Sequence, residues 1–432
     1  MLSVVNRFKL GGMTSFVLVI LTLMTRAAPA AEIAVAAIPG GLVLALSQAQ
    51  DGDRLVLAPG IHAGPIIIAH AIDLAGMPGA VIKGDGKGTV VTIDAPDVTV
   101  QGITVTGSGL TLATQDSGIF VTPNGDRAVV EHNHIDDNLI GIYLSGPDDA
   151  VVRDNDVTGR QDLRVNERGN GIQLWNTPGS QVIGNRVSQG RDGIFVTTSR
   201  ENLFADNVFR NVRFAIHYMY TNYSEIRGNR SYDNTVGYAL MYSDHLRVTD
   251  NLSSGDQQHG IMLNYANASE FIGNAVENGG AKCVFIYNSN KNDFRGNRFE
   301  GCDIGVHFTA GSERNVIVDN AFVGNRTQVK YVGTRWLEWS ENGRGNYWSD
   351  NAAFDLDGNG IGDRPYRPND MLDQVVWAHP SARLLISSPA FQILKWAQSR
   401  FPALHPGGVV DSAPLMTPPD LSIFHGEIQH AG

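Results

Sequence analysis

An asparagine returns at nearly fixed intervals along the middle of this chain, at Asn133, Asn155, Asn185, Asn207, Asn229, Asn251, Asn274, Asn297 and Asn320. The gaps are 22 or 23 residues, except for one of 30. Self-similarity at such a period marks a repeat architecture, in which each unit is too small to bury an apolar face alone. A second ladder runs in step with the first: Gly141-Ile142-Tyr143-Leu144, Gly171-Ile172-Gln173-Leu174, Gly193-Ile194-Phe195-Val196, Ala215-Ile216-His217-Tyr218 and their successors to Gly305-Val306-His307-Phe308.

Each repeat holds short alternating runs broken by turn residues, which is the pattern of β-strands. No stretch between them is long enough for a crossover helix, so a βαβ sheet or barrel is excluded. Rungs of about 22 residues stacked about 4.8 Å apart bury the apolar faces together. The expected fold is therefore all-β, a right-handed parallel β-helix. An Asn at a tight corner tolerates the left-handed backbone and can hydrogen-bond its own copy one rung away, so the Asn row reads as structural. Forty-eight glycines suit a chain that turns this often.

Three parts are expected. Residues 1–30 read as a secretory signal: Arg7 and Lys9, the apolar run Phe16 to Met24, then Ala28-Pro29-Ala30 for cleavage, with an uncleaved anchor as the rival reading. Residues 31–332 form the solenoid, with an N-terminal capping helix in Gly41 to Gln50 and a loop projecting around Arg160 to Asn170. Residues 333–432 form a capping loop, a short helix and an extended tail.

Losing Arg7, Lys9 and Arg26 takes the formal charge from −11 to −14, and an acidic surface argues against nucleic acid or anionic lipid as a partner. Cys283 and Cys302, the two cysteines, fit two buried free thiols, a disulfide or a thiolate metal site.

Alternate strand residues face opposite ways. If Ile and Leu of the second ladder point inward, one outward row is Tyr143, Gln173, Phe195, His217, Ala239, Met262, Phe285 and His307. The next is Ser145, Trp175, Thr197, Met219, Met241, Asn264, Tyr287 and Thr309. Met219, Met241 and Met262 then fall on three consecutive rungs, with His217 two residues from Met219. Thioether with imidazole suits Cu(I); His259, just before a neighbouring strand, is a further candidate ligand. The same face also fits a contact patch for a partner, with Trp175 in it.

Many parallel β-helices act on acidic polysaccharides, and a lyase, hydrolase or epimerase is the alternative function. Such chemistry generally needs facing carboxylates or a base beside a charge-stabilising group. The outward rows carry no acid; Asp154, Asp206, Asp250, Asp293 and Asp319 read as corner residues. No enzymatic activity is expected.

Beyond the ladder, Asp355, Asp357 and Asn359, followed by Gly360, copy the first half of a calcium loop, but Tyr366 stands where its last acid belongs. Ser388-Pro389 suits a helix start before Phe391, Leu394 and Trp396. Gly345-Asn346-Tyr347-Trp348-Ser349-Asp350, the Asp355–Tyr366 run, Ser388-Pro389-Ala390-Phe391-Gln392-Ile393-Leu394-Lys395-Trp396 and the tail Asp411-Ser412-Ala413-Pro414-Leu415-Met416 together resemble the NosD family across nearly the whole mature chain. Asn359 departs from the commoner all-Asp form of the loop. The resemblance implies a periplasmic protein on an ABC transporter, the ATPase NosF with the membrane subunit NosY. It also implies a role in assembling the copper–sulfide centre of nitrous-oxide reductase, with copper delivered by the lipoprotein NosL. On that reading Phe391, Trp396, Leu415 and Met416 contact the transporter, and the Met/His face handles copper.

Overall fold

The computed structural model describes residues 30–309, 311–385, 387–401 and 407–419. The expected signal segment lies outside them, apart from Ala30. The chain winds into a right-handed parallel β-solenoid. Its three sheets have 13, 12 and 13 strands, and within each sheet every strand pairs in parallel with the equivalent strand one turn away.

The asparagine row is the spine of this stack. The Asn207 side-chain amide donates to the Val182 carbonyl at 2.8 Å and to Asn229 Oδ1 at 3.0 Å, while its own Oδ1 accepts from the backbone and side chain of Asn185. The row continues unbroken from Asn133 to Asn346, one position beyond the last Asn of the 22–23-residue ladder. The amides are buried, and deleting one would leave several polar groups unpaired, each costing about 1–3 kcal/mol. The left-handed corner falls one residue earlier than expected. Asp154, Asp206, Asp250 and Asp319, or a glycine such as Gly228, take positive φ, and the Asn itself does not. The corner turns the chain so that the next side chain points inward, where the amide ladder needs it.

Inside, equivalent apolar residues lie on one another, as where Phe271 stacks on Phe294 at 4.4 Å. Helix α1 (Gly41–Gln48) closes the first rung with Leu42 and Leu46. Residues 160–170 leave the solenoid as a loop with a single 3-10 turn. At the other end the third sheet runs on to Tyr347–Trp348, past Val332. Trp348 stacks on Phe322 at 4.3 Å and seals the core.

The tail folds back on its own chain. Gly408–Val410 pairs in parallel with Trp336–Glu338. Asp411 is buried and accepts from the Trp348 indole and the Asn346 amide, both at 2.7 Å; burial pushes its carboxyl up to about 6. Helix α2 (Met371–Ala378) starts on an Asp370 cap, and α3 (Pro389–Arg400) on Ser388 with Pro389 in its first turn. Cys283 and Cys302 form a disulfide, with Cα atoms 5.6 Å apart, so neither thiol is free. Different rung positions still bring them together because the chain turns a corner between them.

Candidate functional site

The outer face of the 12-stranded sheet carries both expected rows in register. His217 pairs with Ala239, Ala239 with Met262, Met262 with Phe285, and Phe285 with His307. Beside this row, Met219 pairs with Met241 and Met241 with Asn264. His217, Met219, Met241 and Met262 therefore occupy three adjacent strands of one surface. Neighbouring strands lie about 4.8 Å apart, within reach of flexible thioethers meeting around one ion. The three methionines are half-buried. One residue past this row, Tyr220, Tyr242 and Tyr265 stack at 5.1 and 5.2 Å and border the thioethers with an exposed aromatic ladder.

His217 is held from behind. Its Nδ1 lies 3.0 Å from Asp192 Oδ2, and Arg213 reaches the same carboxylate with two hydrogen bonds, at 2.8 and 2.7 Å. Asp192 is fully buried. Burial works to raise its pKa, but the bonds from His217 and Arg213 outweigh burial and hold it below the usual carboxylate range. An ionised carboxylate only accepts, so His217 donates through Nδ1 and keeps its Nε2 lone pair for another partner. Phe195 and Phe214 fix the ring from two sides, at 5.0 and 4.9 Å. A carboxylate that orients an imidazole is the usual support behind a metal-binding histidine.

Sequence reasoning missed Asp192 and Arg213. Asp192 opens its strand in register with Phe214 on the next rung, which pairs with Val236 and then His259 in turn. Phe214, Val236 and His259 carry no carboxylate, so no recurring acid marks the position of Asp192.

His259 stands apart from His217. Its ring packs on Phe285 at 5.4 Å, His307 packs on the same ring at 5.0 Å, and the Lys282 ammonium lies 3.9 Å from that ring's centre. Burial, then the charge of Lys282, pushes His259 down to about 4. Burial, then Lys282, Lys330 and His259, does the same to His307. Both imidazoles are neutral at neutral pH, and both Nδ1 atoms are buried without a hydrogen-bond partner.

Of the expected partner contacts, Trp175 and Trp396 are exposed, at 45% and 61%. Phe391 and Leu415 are taken up by the chain's own packing, and Leu415 bridges to Tyr347 and Ile361. Met416 is half-buried. The calcium-like loop satisfies itself: Asp355 accepts from the Gly358, Asn359 and Gly360 amides, and Asp357 from the Asn359 side chain. That is a nest of Asx turns, and it gives calcium no support. Among the described residues, no three His, Cys, Asp or Glu side chains gather as a metal centre. Also among the described residues, no helix is long and apolar enough to cross a membrane.

Residues 153–353 match the family model described as "Periplasmic copper-binding protein (NosD)". A protein of Stutzerimonas stutzeri named "Probable ABC transporter binding protein NosD" is 39% identical over 384 residues, covering 85% of this chain and 88% of the relative. A protein of the same name from Pseudomonas aeruginosa is 42% identical over 383 residues, covering 85% and 90%. Among solved structures, the A-module of an Azotobacter vinelandii mannuronan C-5 epimerase superposes with a TM-score of 0.53 at 15% identity, over 68% of this chain and 91% of that one. This last likeness is one of fold alone.

Proposed function

The chain belongs to the NosD family, and from that premise we propose that it is a periplasmic accessory protein that works with an ABC transporter and handles copper for the copper–sulfide centre of nitrous-oxide reductase. Copper is cargo here, not a resident cofactor. The observation that carries the reading is the single surface on which His217, Met219, Met241 and Met262 stand in register, with His217 braced by a buried, ionised Asp192. Imidazole and thioether are soft, neutral donors. They suit Cu(I), and they hold it without the thiolate charge that makes release slow. The aromatic ladder beside them offers a flat surface for the protein that delivers or receives the ion.

The family description and the relatives' names support the compartment and the transporter. The disulfide suits an oxidising compartment. NosF and NosY as transporter subunits, and NosL as copper donor, are the partners this reading implies. Trp175, exposed in the Met-bearing row, is the contact assigned to the copper donor or client.

The test is a Cu(I) competition titration of the purified mature chain. Replacing Met219, Met241 and Met262 together with Leu keeps volume and apolarity and removes only the sulfur donors. Affinity should fall at least about a hundredfold, or roughly 3 kcal/mol. Unchanged affinity removes the site.

A further inference from the structure

The chain is acidic overall, yet from Gln374 to Val410 it contains no Asp or Glu, while Arg383, Lys395 and Arg400 fall within that span. The same span exposes six large apolar side chains: Leu384 at 90%, Leu385 at 53%, Ile393 at 65%, Leu394 at 40%, Trp396 at 61% and Phe401 at 58%. Among the described side chains of helix α3, Phe391 and Gln398 are buried, while Ile393, Leu394 and Trp396 are exposed. Scattered exposed apolar residues need no explanation, but six within eighteen positions do.

We propose that α3 and the turn before it (Pro380–Leu385) form a lipid-contact surface that seats the protein on a bilayer carrying anionic phospholipid. A short helix with Trp, Leu and Ile outward, flanked by cations and lacking acids, is the composition that lies in a membrane interface. Apolar side chains enter the headgroup boundary, and the cations meet phosphates. A second copy of this chain fits worse, since the span offers cations but no Asp or Glu to pair with those of another copy. The span is too short and too broken to cross a membrane, so the contact is peripheral.

The seat is tied to the last rungs of the solenoid. Asn369 donates to the Val329 carbonyl at 2.6 Å, and Lys330 lies over the Trp377 ring of α2 at 5.8 Å. Bilayer contact therefore places the C-terminal end of the solenoid at the membrane. Met241 is four strands away from Lys330 along the same sheet, which puts the thioether face about 19 Å further out. The inference needs neither copper nor the transporter, so it can fail while the reading above stands.

The experiment is co-sedimentation of the mature chain with vesicles of phosphatidylethanolamine and phosphatidylglycerol, and with phosphatidylcholine vesicles, at low and high salt, without transporter. Binding to the anionic vesicles that weakens with salt is expected. The variant L384S/I393S/W396S should bind at least about tenfold more weakly while keeping the parent's melting behaviour. K395E/R400E should lose binding to anionic vesicles more than to neutral ones, and it serves if the triple variant misfolds. Absence of vesicle binding, or binding untouched by both variants, overturns the proposal. So does self-association, or capture by the detergent-solubilised transporter, that depends on these residues in a chain that ignores vesicles.

Discussion

His217 and His307 occupy one row of one sheet, four strands apart, and their surroundings are opposite. Behind His217 stands a buried carboxylate kept ionised by Arg213; around His307 stand Lys282 and Lys330. The first environment orients the ring through its Nδ1 contact with Asp192. The second strips the ring of its proton and gives it no orienting partner. A regular solenoid thus presents the same side chain at equivalent places, and the charged residues on neighbouring strands decide its chemistry. Only the His217 end combines an oriented imidazole with thioethers on its own and the next two strands, which is why the copper site is assigned there and not to His259 and His307.

The sharpest way to break this contrast is Asp192→Asn. The amide no longer carries the charge that pairs with Arg213 and fixes His217, so a buried ion pair is lost at a cost of roughly 3 kcal/mol. Cu(I) affinity should fall about 10–100-fold through His217 alone, as loss of a supporting carboxylate typically does. Melting curves and a copper competition titration measure both. Copper binding as tight as in the parent would separate His217 from the site.

A smaller effect is expected at the other end. His259 and His307 titrate near 4 in the folded chain, against about 6.5 when unfolded. Between those values the unfolded chain binds more protons, so stability falls as pH drops from about 6.5 to 4 and is unaffected by these two groups above that window. Both rings are partly exposed, so after allowing for solvent screening each contributes roughly 1–2 kcal/mol of acid destabilisation. Chemical denaturation of H259Q/H307Q beside the parent should show a flatter pH profile only in this window. Parallel profiles would mean that the two rings protonate freely.

Much of the fold was legible because a solenoid repeats its reasons. One Asn per turn and one Gly-Ile-x-Leu run per turn fixed both the period and the register, and the rows of the 12-stranded sheet follow from strand alternation. Less regular features were not legible. The left-handed corner belongs to the residue before each Asn, since the amide must point inward; residue type alone suggested the Asn. The disulfide joins two positions that differ within the repeat and meet only across a corner. Asp192 is a lone acid in a column that continues through Phe214, Val236, His259, Lys282, Ile304 and Thr327, so no periodicity marks it. The tail looked free for a partner because its anchors lie far away in sequence: Gly408–Val410 pairs with Trp336–Glu338, and the ties of buried Asp411 to Trp348 and Asn346 span more than sixty positions.

The central claim is that stacking brings His217, Met219, Met241 and Met262 around one copper ion. X-ray absorption at the copper edge of the Cu(I)-loaded mature chain tests it most directly. A first shell containing both sulfur and imidazole nitrogen is predicted, with the sulfur contribution gone in M219L/M241L/M262L. A shell of nitrogen and oxygen only, or sulfur that survives the triple substitution, would contradict the account.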